Sequence, residues 1–120
     1  MTDFTPDQYR HDLEVVRNTA TQVIKDFGMA GVEIHFSGNA EIAYNELLEQ
    51  ALPALKGLYQ QNPGSFMALL YRIDVDELKV KRLSESFSGS DFFAQLASLV
   101  IEREFIKVLI RKLYSSKNGL

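Results

Sequence analysis

Apolar positions recur at helical spacing through most of the chain, and the longest such run extends from Ser90 to Ser116 without a Gly or Pro. At about 100° per residue, Phe92, Leu96, Leu99, Ile106, Ile110 and Tyr114 share one stripe, with Arg103 in its middle. A second apolar line follows the opposite side through Ala94, Ala97, Ile101, Phe105 and Val108. Two narrow polar ridges separate them, one carrying Gln95, Ser98 and Glu102 and the other Glu104, Lys107 and Arg111. A surface helix has one apolar face, so a helix with two is expected to be central or shared with another chain.

Thr5, Pro6 and Gln8 stand in the order of an N-cap, a first-turn proline and a capping-box partner. Tyr9, Leu13, Val16, Ala20, Val23 and Phe27 then recur at steps of four and three, with Ile24 widening the seam. Gly28 is the expected left-handed stop. In the following GMAGVEIHFSGN, Val32, Ile34 and Phe36 alternate with Glu33 and His35, a short extended pattern between glycines. One extended segment among helices must pair with another strand, lie as a strap over the helices, or pair with its own copy. The strap is the leading expectation.

Ser37 or Asn39 can cap a second helix over about Ala40 to Gln61, with apolar positions Tyr44, Leu47, Leu48, Ala51, Leu52, Leu55, Leu58 and Tyr59. The periodicity runs through Pro53, which predicts a kink and not a break. Asn62, Pro63 and Gly64 form a stop. Phe66, Met67, Leu69, Leu70 and Ile73 then crowd a short helix expected to face water on no side. Asp74 with Glu77 reads as a capping box for a helix from Val75 to about Leu83. The run SESFSGSD is a loop, Ser90 or Asp91 caps the final helix, and the terminal KNGL should fray. The pattern therefore predicts an all-α fold. It is a compact bundle of four to five helices with one short extended segment, about Val32–Phe36, after the first.

A length of 120 residues fits one helical domain spanning the chain, and 46% hydrophobic with 24% charged residues fits a folded globule. The chain has no cysteine, which suits a reducing, cytoplasmic setting. Its first residues, MTDFTPDQYR, lack a signal-peptide pattern, and Glu102, Arg103 and Glu104 interrupt the only long apolar run, so no membrane association is expected. A net charge of −3 with a pI near 5.3 argues against a general nucleic-acid binder. Arg103, Lys107, Arg111, Lys112 and Lys117 make the C-terminal end basic, which the helix macrodipole accounts for.

Arg103 carries the sharpest chemical expectation. On a core stripe an arginine needs a carboxylate, and Asp74 and Asp76 are the best placed. A pocket there, built from Arg103, Tyr71, Arg72, Asp74 and Asp76, could hold an anionic ligand. Glu104 should pair with Lys107, and Glu102 with a residue on another helix. Asp7 and His11 lie four apart but are short of the ligands a metal site needs, and His35 stands on the polar side of the extended segment. No catalytic motif is present: there is no HExxH, GxSxG, Walker-type loop or GxGxxG. No cofactor or metal is expected, and no catalytic residue is assigned.

Two functions follow from the residues. One is a non-enzymatic protein–protein interaction module, a homodimer among its forms, using Val32, Ile34 and Phe36 or Ile101, Phe105 and Val108 as interface. The other is a small-ligand binder or atypical enzyme with its pocket around Arg103. LLYRIDVDE (Leu69 to Glu77), LVIEREFIKVLIRK (Leu99 to Lys112) and HFSGN (His35 to Asn39) together resemble small bacterial proteins of an uncharacterised family. The resemblance implies that the LLYRIDVDE corner and the final helix belong together, and it implies no activity.

Overall fold

A computed structural model describes residues 6–117, with side chains through residue 115. The Thr5 cap and all of KNGL except Lys117 lie outside the described residues. Five α-helices account for the fold: α1 Leu13–Met29, α2 Ala43–Gln61, α3 Pro63–Ile73, α4 Glu77–Ser86 and α5 Gly89–Lys117. Short 3-10 turns at Pro6–Tyr9 and Ala40–Ile42 precede α1 and α2. The all-α bundle is as the periodicity predicts.

The central position of α5 follows from its two apolar lines. Its 29 residues run about 43 Å at 1.5 Å per residue, which sets the 45 Å long dimension of the molecule. All four other helices touch it. The side of α5 that faces the core differs from the expected stripe, however. Phe93, Leu96, Ala97, Val100, Ile101, Phe105, Val108 and Leu109 are buried, whereas Ile110 and Tyr114 are exposed. Within the buried set lies Glu104, at 0% exposure, and not Arg103. Ile101, Phe105 and Val108 are therefore internal packing against this chain's own helices, not an interface with a second chain. Phe105 meets the Tyr44 ring edge-on at 5.9 Å, and the Arg10 guanidinium lies 4.4 Å above its ring centre.

The first helix is shorter than its pattern. Asp12 accepts from the Val15 amide and restarts the chain as α1, which separates the turn at Pro6–Tyr9 from the helix proper. That break lets Arg10 cross to α5, where its Nη2 donates to both Glu102 oxygens at 2.6 Å. Leu13 and Ile24, placed on the seam by spacing, are exposed. Gly28 lies inside α1, and the left-handed residue after the helix is Gly31, φ 83°.

The strap expectation holds. The chain from Val32 to Phe36 is extended, and no strand exists among the described residues. Gln50 of α2 takes the place of a neighbouring strand. Its Oε1 accepts from the His35 amide at 2.8 Å, and its Nε2 donates to the His35 carbonyl at 2.7 Å. The Ser37 amide donates to Glu46. Ile34 is buried in the main core, so it is internal packing and not a free interface, while Val32 and Phe36 pack against that core half-buried. Asn39 supplies the cap before α2, and α2 continues unbroken through Pro53. Asn62 ends α2 and caps α3, with Pro63 in its first turn.

Candidate functional site

The corner between α3 and α4 brings Arg103 and Asp74 together as expected. Arg103 Nη2 lies 2.9 Å from Asp74 Oδ2, and its Nε donates to the Asp74 carbonyl at 3.0 Å. The capping roles differ from the expectation. Asp74 ends α3 in the left-handed conformation, φ 65°, and it is Asp76 that caps α4 by accepting from the Leu78 amide. Asp74 closes one helix and Asp76 opens the next, so the two carboxylates flank the short turn between α3 and α4. Asp74 can adopt a positive φ at modest cost, and Arg103 stabilises it there by holding both its carbonyl and its carboxylate.

The five residues of the expected pocket do not converge. Arg103, Asp74 and Asp76 line one shallow recess of about 460 Å³ with Lys79, Leu99 and Ile106. Tyr71 shares a neighbouring cavity with Asp74 and Asp76 but not with Arg103, and Arg72 lines a separate small pocket with Met29 and Ser65. Arg103 is neither a buried core charge nor a free anchor. Its side chain is 32% exposed and already bound to a carboxylate.

The larger cavity is a trough between α3 and α4, about 930 Å³ and open to solvent. Phe66, Leu70 and Val75 form its nearly buried floor, and Val80 of α4 is half-buried along it. Met67 (61% exposed) and Tyr71 (85% exposed) stand on the α3 rim. Such exposure contradicts the expectation that α3 faces water on no side. Phe66, Leu69, Leu70 and Ile73 do face the core, but the helix carries more apolar residues than one face can hold. The opposite wall is unusual too. No residue of α4 is buried; Val80 and Leu83 are half-buried, and the helix touches α5. Asp76, Glu77 and Lys81 put charges of both signs on the trough, and Glu77 has no ion pair within 4 Å among the described residues.

Inside the bundle a second polar cluster escaped the sequence pattern. Glu104 of α5 is fully buried, neither of its oxygens has a hydrogen-bond partner, and Lys107 Nζ comes only to 3.7 Å. Asp26 of α1, 3% exposed, lies beside it and accepts at 3.1 Å from the Gln22 amide. Burial pushes the Glu104 carboxyl up to about 8, and the neighbouring Asp26 carboxyl adds to the rise. Glu104 therefore holds its proton at neutral pH. Nearby, burial raises the Tyr44 phenol to about 12, and its hydroxyl lacks a hydrogen-bond partner.

Several other charged residues are tied up in ion pairs. Glu102 finds its partner in Arg10, and Lys112 reaches Asp12 at 2.9 Å and Glu14 at 3.1 Å. Those contacts hold the Lys112 ammonium above its usual range and the Asp12 carboxyl below its own. Asp7 accepts from Arg10, and His11 is exposed. No described helix is long and apolar enough to cross a membrane. Comparison with protein-family models, curated proteins and solved structures gives no match for this chain.

Proposed function

We propose that this chain is a non-enzymatic interaction module that receives an apolar segment of another protein chain in the trough between α3 and α4. The observation that carries this reading is the pair Met67 and Tyr71. They stand exposed on the rim of a trough whose floor is already apolar, next to a helix with no buried residue of its own. Exposed apolar surface gathered around a concave floor is the physical basis of helix-in-groove recognition. An anionic ligand at Arg103 has less support, because Asp74 already occupies that guanidinium. The absence of cysteine agrees with a cytoplasmic setting.

Selection of displayed helical peptides against the chain tests the reading, with the Tyr71→Asp variant as counter-target. Enrichment of sequences that bind the native chain and not the variant is the expected result. If no Tyr71-dependent binder is enriched, the trough is not a docking site.

A further inference from the structure

Glu104 poses a problem of hydrogen-bond chemistry that its neighbour on α1 can answer. Its side chain is fully buried midway along α5, and neither carboxyl oxygen meets a donor. A buried carboxylate ion without donors is among the costliest groups a core can hold. Lys107, one turn along, stands 3.7 Å away, beyond hydrogen-bond reach, and its ammonium donates to the Arg72 carbonyl at 3.5 Å.

Asp26 of α1 is within hydrogen-bonding range of Glu104. It is itself almost fully buried, and each of its oxygens lies 3.1 Å from the side-chain amide of Gln22, one turn earlier. Two ionised carboxylates can only accept, so at this range they repel. A single proton between them reverses the relation, because a protonated carboxyl is a donor. Gln22 decides where that proton sits. Its N–H favours the charge on Asp26, which leaves the proton to Glu104, whose oxygens have no donor of their own. The result is an O–H···O bond to a charged acceptor, the stronger kind, and it joins two helices.

We infer that Glu104 and Asp26 share a single proton, and that the hydrogen bond it makes is a pH-sensitive latch between the end of α1 and the middle of α5. The latch stands independently of the docking reading above. Asp26 lies one turn before α1 ends at Met29, and the chain then turns through Gly31 into the Val32–Phe36 strap. The groups around it are few. Asp26 is the acid from α1 and Lys107 the base on α5, while α3 brings the Arg72 carbonyl to Lys107 and α2 brings the Tyr44 phenol against Phe105. Loss of the proton leaves two buried negative charges face to face, and lifting the end of α1 returns both to water. The opened form gives up the proton near 4.5 and the latched form near 8. Opening therefore becomes about tenfold more frequent per pH unit between those values and levels off above them.

Carbon NMR of the side-chain carboxyls of the full chain, followed from about pH 5 to 10, tests the shared proton. Glu104 is expected to be protonated at pH 7 and to titrate near 8, with the Asp26 signal moving at the same midpoint. Asp26→Asn should lower that midpoint. Glu104→Gln, whose amide still donates to Asp26, should remove the step from the Asp26 signal. Amide exchange tests the latch: at pH 8, Val23–Phe27 should be protected about tenfold less than Leu47–Leu55, and Glu104→Gln should erase the difference. A Glu104 signal already ionised at pH 7 overturns the shared proton, and so does a midpoint indifferent to Asp26→Asn. If that variant does not fold, the co-titration of the two native signals decides alone. Equal protection of the two segments in the native chain at pH 8 overturns the latch, because Glu104 then weakens the fold as a whole.

Discussion

Arg103 grips Asp74 at two points, the carboxylate at 2.9 Å and the backbone carbonyl at 3.0 Å, and so fixes a left-handed residue at the turn between α3 and α4. Because Asp74 is mostly exposed, the ion pair itself adds little to global stability. Its larger effect is to orient α4, which buries no residue of its own.

Replacing Arg103 with Met should therefore cost only about 0.5–1 kcal/mol in urea denaturation. Amide hydrogen exchange across Glu77–Ser86 should nevertheless quicken markedly, while the α1 and α5 core amides keep their protection. A loss of several kcal/mol would instead mean that Arg103 is a buried structural charge.

Glu104 makes stability fall as pH rises. The unfolded chain loses this proton near 4.5 and the folded chain near 8, so between those values the folded state binds the extra proton. The slope there is at most about 1.4 kcal/mol per pH unit, and the group contributes none outside that window. The charged groups facing it are Asp26 from α1 and Lys107 from α5, while the Arg72 carbonyl of α3 accepts from Lys107. Glu104→Gln should flatten the profile and make the variant more stable than the native chain above pH 8. Chemical denaturation at several pH values measures this, and parallel profiles would refute it.

Gln50→Ala removes both partners of the His35 backbone. Solvent can reach these groups, so the expected cost is about 1 kcal/mol, with faster exchange of the His35 amide as its signature. If the strap's protection is unchanged, its hold comes from Ile34 and not from Gln50.

Two aromatic deletions should differ sharply. Phe105→Ala opens a hole under Tyr44 and Arg10 in a fully buried site, and should cost about 3–5 kcal/mol. Tyr71→Asp, on the exposed rim, should stay within about 0.5 kcal/mol of the native chain. Thermal melts of the two variants side by side decide the matter.

The helices were legible because their apolar spacing and their punctuation agree, as at Asn62–Pro63, where one residue stops α2 and caps α3. The pairing of Arg103 with Asp74 was legible from the demand of a cation for an acid. The buried charge was not. A pattern that counts only apolar residues assigns any carboxylate to the outside, so the true seam through Val100, Ile101, Glu104, Phe105 and Val108 looked broken at Glu104. The trough was hidden for the opposite reason. Met67 has the same hydrophobicity whether it faces the core or water, and only the placement of α4 leaves it outside. Asp12 could have been read as a helix start, but the continuous spacing from Tyr9 to Val16 masked it.

The central place of α5 also governs how the chain acquires its fold. Arg10 and Glu102 are 92 residues apart, and Lys112 and Asp12 are 100 apart. Helices α1 to α4 emerge first during synthesis, and although α1, α2 and α3 touch one another, the faces they turn to α5 are left without their largest partner until it follows. The apolar surface turned to α5 stays open until then, when chaperones and aggregation compete for it. Most helical bundles condense quickly from local contacts, and the contacts that join the two ends of this chain should be the last to form.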